Sequence, residues 1–225
     1  MKKLFLSFAG LALTSLLAPA QVALITRAGG SLATIHASAA GPEWQYAAGW
    51  VGGAGLNLPL DGVQVVSLQP EVLFHRKGFA MNGSHYVHNY LEVPLLLKVN
   101  LRRRGLRTYL TAGPSGGFLR SGKYPAVMDT LGAIRTKDLP VRVNQVLNAA
   151  DAPNTAFKRF ELGFQVGAGV GLPLGRGTGL VELRYGQGLT PFFRTDGPGA
   201  TNRFTNRAFG LTLGYALPLA VSSEQ

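Results

Sequence analysis

The chain has 225 residues, 46% apolar and only 15% charged, with 22 Lys and Arg against 11 Asp and Glu, for a formal charge of +11. That length suits one large β domain, and the charged fraction falls well below the roughly 25% usual in soluble domains. With no cysteine there is no disulfide framework, no thiolate metal site, no cysteine nucleophile and no lipid anchor through an N-terminal cysteine.

Residues 1–20 read as an export leader. Lys2 and Lys3 precede an uncharged apolar run over 4–17, and Ala18-Pro19-Ala20 sets small residues where a signal peptidase inspects them. The run is shorter than the ~20 residues that a transmembrane helix needs. Cleavage after Ala20 would leave one domain, 21–225. No later stretch suits a transmembrane helix, so a membrane-resident form would cross with strands.

Eight stretches then alternate with a period of two: 23–34, 44–58, 63–75, 86–101, 106–118, 160–172, 179–189 and 207–219. The second sets Trp44, Tyr46, Trp50 and Leu56 on one face. The third sets Val66, Leu68, Val72 and Phe74 against Ser67, Gln69, Glu71 and His75. The fourth opposes Leu91, Val93, Leu95 and Leu97 to Tyr90, Glu92 and Lys98, and the fifth opposes Leu110 and Phe118 to Arg107, Tyr109 and Thr111. In the sixth, Phe160, Leu162, Phe164 and Val166 face away from Glu161, Gln165 and several glycines. The seventh sets Val181, Leu183 and Tyr185 against Glu182, Arg184 and Gly186. In the last, bulky Phe209, Leu211, Leu213, Tyr215 and Leu217 alternate with Gly210, Thr212, Gly214 and Ala216. Alternation over ten or more residues marks a strand long enough to cross a bilayer at a tilt.

The connections after the second, fourth and sixth stretches are short, and those over 76–85, 120–159 and 192–206 are long. Transmembrane barrels show this asymmetry. The predicted fold is therefore all-β: an eight-stranded antiparallel transmembrane β-barrel with short periplasmic turns and long outer loops. Bulky side chains meet lipid and small ones line a narrow lumen, and the sheet closes because hydrocarbon offers backbone groups no partner. Arg27, Glu71, Glu92, Lys98, Arg107, Glu161, Glu182 and Arg184 then point into the lumen. Both signs are present, so Glu–Arg or Glu–Lys pairs between neighbouring strands are expected, with Glu182 or Arg184 among them. A soluble sandwich would bury these charges in a dry core or leave its apolar rows in water.

Four stretches carry a resemblance: "NYLEVPLLLKVNL" (89–101), "YLTAGPSGGFLRSGKY" (109–124), "GLVELRYGQGL" (179–189) and "NRAFGLTLGYAL" (206–217). Together they resemble the PorT-type outer-membrane β-barrel family. The resemblance implies a small barrel delivered to the cell outer membrane. The founding member of that family takes part in protein secretion, which makes a secretion or envelope assembly the expected setting.

Motifs for chemistry are sparse. Ser84, His85, His88, Glu71 and His75 supply the residue types of a triad, but Ser84 and His85 are adjacent on a connection and their side chains would diverge. His75, His85 and His88 are the one candidate metal clamp. There is no Gly-x-Ser-x-Gly elbow and no His-Glu-x-x-His, and the glycines of "GAGVGLPLG" lead into a turn rather than a helix. Neither a cofactor nor catalysis is expected. Without Lys2 and Lys3 the formal charge of +11 falls to +9. No recognition helix or aromatic-basic motif directs that charge to nucleic acid. Much of it falls in the outer connections, facing lipopolysaccharide. The 120–159 connection is apolar enough to pack, with a short helix expected over 143–150 and a role as a cap on the barrel. The expected function is a non-enzymatic structural or protein-interaction role, with outer-membrane lipid, lipopolysaccharide and other envelope proteins as partners. The alternatives are a lipid-modifying or proteolytic barrel enzyme and a small pore.

Overall fold

The computed structural model describes residues 22–38, 44–81, 84–102, 106–127, 136–140, 156–197 and 200–219. The leader and the helix expected over 143–150 lie outside them. Eleven strands follow in chain order: β1 (Ala23–Ala37), β2 (Gln45–Pro59), β3 (Val66–Met81), β4 (Ser84–Arg102), β5 (Arg107–Val127), β6 (Thr136–Pro140), β7 (Ala156–Phe157), β8 (Phe160–Leu174), β9 (Gly177–Gly188), β10 (Phe193–Gly197) and β11 (Ala200–Pro218).

Eight of them form the barrel. The order is β1-β2-β3-β4-β5-β8-β9-β11, and β11 returns to β1 along a ladder from Ala23↔Pro218 to Ala37↔Phe204. Every pairing is antiparallel. Closure removes the sheet edge, as a wall in hydrocarbon requires.

Alternation sorts the two faces. Leu213, Leu211 and Phe160 are 67%, 57% and 54% exposed on the outside, while Thr212 and Glu161 beside them are buried. The small inner face is not an empty lumen. A Cβ at Gly169 would run into the Tyr109 ring, and one at Gly188 into the Glu161 carboxylate. Glycine on β8 and β9 thus makes room for the large inward side chains of other strands.

Two turns at the short-turn end are described. Gly175, the first central residue of the β8–β9 turn, has φ 57°, as a two-residue type II′ hairpin requires. In the β2–β3 turn the Asp61 carboxylate accepts the N–H groups of Val65 at 3.0 Å and Val66 at 3.3 Å.

The long-loop end differs from the sequence reading. β3 continues to Met81 and β4 starts at Ser84, so 76–81 and 84–85 are paired as a β-ribbon. β5 runs to Val127 and pairs with β6, and β10 pairs with β11, so 120–159 and 192–206 also contain ribbon. Charge at Arg76, Arg120 and Arg203 marks where lipid ends and not where pairing ends, because a strand pairs through its backbone whatever its outer face carries.

Two apolar clusters close the interior. Ile25, Tyr109 and Leu180, with Ala216 against them, form a floor at the short-turn end. Ile35, Phe79 and Phe192 form a plug at the other end, ringed by Trp44, Tyr86 and Phe204. Trp44 packs edge-on to Phe79 at 5.2 Å, and Phe79 stacks on Tyr86 at 4.4 Å. Trp44 therefore leaves the lipid face that the alternation assigned to it. It precedes the first residue of β2, so that strand's alternation does not hold its side chain. The inserted stopper is Phe192, from the β9–β10 connection. Residues 128–135 and 141–155 of the 120–159 connection, expected as the cap, lie outside the described residues.

Candidate functional site: the charged lumen

Above the floor, four charged side chains from three strands meet in a ring. Glu71 of β3 faces Arg184 of β9, strands diametrically opposed in the barrel order. Arg184 donates from Nη1 to Glu71 Oε2 at 2.6 Å and from Nε to Glu182 Oε1 at 2.6 Å. Arg27 of β1 closes the ring, with Nη1 3.1 Å from Glu182 Oε2 and Nη2 2.7 Å from Glu71 Oε1. That last contact lies off the line of the N–H bonds, so it is an ion pair and not a hydrogen bond. The ring carries two positive and two negative charges.

Neutral groups complete the carboxylates. Gln69 donates to Glu71 at 2.6 Å, and the Tyr109 hydroxyl donates to Glu182 at 3.0 Å. Lys98 sets its ammonium 4.2 Å from the centre of the Tyr109 ring. A buried ion pair repays its desolvation only when its remaining hydrogen-bond sites are also met, and these contacts meet most of them.

A second group lies nearer the plug. Glu92 of β4 receives His75 Nδ1 at 3.0 Å and pairs with Lys77, both from neighbouring β3. Gln165 links the two groups: it accepts from Arg184 at 3.3 Å and donates to Glu92 at 3.4 Å. Asn206 donates to Glu161 at 2.7 Å and to the Tyr90 hydroxyl at 3.2 Å.

Of the eight residues expected in the lumen, Arg27, Glu71, Glu92, Lys98, Glu161, Glu182 and Arg184 are buried there. Arg107 is exposed. It is the first residue of β5, two residues before Tyr109 of the floor, so it sits on the wet side of the short-turn rim. The neighbouring-strand pair is Lys77–Glu92, while Glu182 and Arg184 reach strands further round. In a barrel this narrow an arginine spans the diameter. Sequence reasoning missed Lys77 and Asn206, and it set Gln165 on the inner face without a role. The signal for Lys77 was available, because the inward parity of Glu71 and His75 continues to it.

Among the described side chains neither the candidate triad nor the metal clamp assembles. His85 is exposed on the opposite parity to fully buried His88. His88 packs among aromatic rings, 5.1 Å from that of Phe192. The side chain of Ser84 lies outside the described part. His75 and Glu92 line a cavity of about 30 Å³ whose one hydroxyl, that of Thr212, donates to the Glu182 carbonyl at 3.5 Å. Ser115 lines an adjacent space of about 10 Å³ that His75 does not reach. Among the described residues no three His, Asp or Glu converge on a metal-sized site.

A closed wall of eight strands, apolar side chains turned to lipid and charges turned inward define a transmembrane barrel of the outer-membrane kind. The chain belongs to the outer membrane protein beta-barrel domain family, whose model matches residues 20–194, and it is a multi-pass β-barrel of the cell outer membrane. No curated protein matches the sequence. Similar solved structures include Neisserial surface protein A, at 12% identity over 87% of this chain and 97% of that one, with a TM-score of 0.48. OprG from Pseudomonas aeruginosa is 10% identical over 89% of this chain and 97% of its own, with a TM-score of 0.48. Ail of Yersinia pestis, solved with the heparin analogue sucrose octasulfate, is 10% identical over 87% and 99%, with a TM-score of 0.43.

Proposed function

We propose that this chain is a non-enzymatic outer-membrane barrel with a structural or protein-interaction role, a component of a secretion or envelope assembly of the kind that its PorT-type resemblance implies. The observation that carries this reading is the filled lumen. Apolar clusters close both ends, and matched charges occupy the space between them. The larger cavity, about 30 Å³, suits a water molecule, whereas small-molecule sites occupy roughly 300–1,000 Å³. The working surfaces are then the lipid-facing wall, in contact with membrane lipid and lipopolysaccharide, and the outer ribbons, open to other envelope proteins. Neither a cofactor nor nucleic acid has a part in this reading.

The test is made on purified barrel in planar bilayers and in vesicles carrying lipid A and a reporter peptide. Baseline conductance and no turnover are expected. A steady ohmic current would replace the scaffold with a pore, and turnover lost in His75→Ala would replace it with an enzyme.

A further inference from the structure

Every described carboxylate of the barrel wall, Glu71, Glu92, Glu161 and Glu182, is turned inward and buried. The only other acid with a described side chain is Asp61, in a turn at the opposite end. At the long-loop end the exposed charges with described side chains are thus all cationic, and three of them crowd one seam.

That seam joins β5 to β8. Phe118 and Phe160 are paired across it, and both are about half exposed on the lipid-facing side. One step further out, Leu119 N–H bonds to the Arg159 carbonyl at 2.8 Å. Arg120 follows Phe118 on the same outward face of β5, and Lys158 precedes Arg159, its own N–H turning to the Phe192 carbonyl at 2.8 Å. All three cationic side chains are exposed. Like charges gathered at one seam repel, and no described carboxylate relieves them. Arg159 lies over the Phe118 ring with its guanidinium carbon 5.5 Å from the ring centre. Stacking of this kind holds the plane of the guanidinium and leaves its N–H edge free. Arg207, on another seam, instead spends its Nε on Gln187 at 2.8 Å.

We propose that Arg120, Lys158 and Arg159 form a binding site for a phosphate of lipopolysaccharide in the outer leaflet. The site stands just above the Phe118–Phe160 pair, where the apolar wall gives way to charge, which is headgroup level. The long-loop end is the outer end of such barrels, and that leaflet is where the phosphorylated saccharolipid resides. An arginine fork suits phosphate in bidentate geometry, and a lysine adds a point charge. The bound phosphate supplies a counter-charge that the described side chains of the seam do not. This inference deepens the lipid contact of the proposed function and rests on its placing of lipopolysaccharide at the wall. It does not depend on the lumen being plugged.

The experiment is native mass spectrometry of the whole barrel, released from detergent after incubation with diphosphorylated lipid A, dephosphorylated lipid A or phosphatidic acid. Folding of each variant is checked by heat-modifiable gel mobility. Wild type should retain diphosphorylated lipid A and shed the other two. Arg120→Gln and Arg159→Gln should each weaken retention about fivefold, the worth of one cation at a membrane surface. Arg159→Lys, which keeps the charge and loses the fork, should fall between. Arg107→Gln with Arg176→Gln, at the opposite rim, should change nothing. Equal retention of dephosphorylated lipid A, equal retention of phosphatidic acid, or equal loss in the opposite-rim variant would each overturn the site. Conductance and turnover, which test the scaffold reading, play no part in these readouts.

Discussion

Glu71 meets two arginines from different sides of the lumen, and each of those arginines also meets Glu182. Removing one member of such a ring leaves a surplus charge in a place with almost no water. Arg184→Met leaves two carboxylates on Arg27 alone, and breaking a buried pair in this way costs about 3–5 kcal/mol. Adding Glu71→Gln leaves the neutral Arg27–Glu182 pair at 3.1 Å. The double variant should therefore unfold at a higher urea concentration than Arg184→Met alone when both are measured in lipid. The coupling energy of the cycle should fall at about 0.5–3 kcal/mol, the range for residues sharing one network. Strictly additive losses would show that the ring is a set of independent solvated charges.

A strand of this barrel works through its two faces, and β11 separates them most sharply. Leu213 is 67% exposed and Thr212 is 5% exposed, one residue apart. Arginine in place of Leu213 would face hydrocarbon and should cost about 2–4 kcal/mol if that position lies near the midplane. Arginine in place of Thr212 would crowd the lumen instead, beside Glu182, its register partner. Folding titrations into bilayers of increasing urea content compare the two, and a Leu213→Arg variant as stable as wild type would reverse the face assignment.

The same alternation explains how much was legible beforehand. Strand number and the inward set, Arg107 excepted, follow from a period of two, which any single strand displays by itself. The ribbons at the long-loop end are hidden because the apolar alternation stops where lipid ends, while backbone pairing goes on. The partners in the lumen were hidden for a different reason. Which arginine reaches which glutamate depends on stagger around a closed barrel, and no one strand encodes that. Phe192 was illegible too, since a stopper donated by a connection has no periodic neighbour to betray it.

At the scale of the whole molecule, the barrel is shut twice, by different chemistry at each end. The plug is aromatic and depends on Phe192, a connection residue only 2% exposed against Ile35, Phe79 and His88. The floor is built by Ile25, Tyr109 and Leu180, all within strands of the wall. Trimming Phe192 to alanine removes the stopper without touching a ladder of the wall, so the fold should survive while water enters from the outer side. The floor and the charge ring beneath would stay in place, so conductance should remain at baseline. The chain has no cysteine, which makes thiol labelling of a single introduced cysteine unambiguous. Ser115 is buried, faces inward and lies between the plug and the ring. In a Ser115→Cys background, a membrane-impermeant maleimide should react slowly, and Phe192→Ala should speed it several-fold with no change in current. Unchanged labelling would mean that the outer end is held shut by something other than Phe192. Faster labelling together with a steady current would mean that the plug, and not the floor, is what keeps this barrel from being a pore.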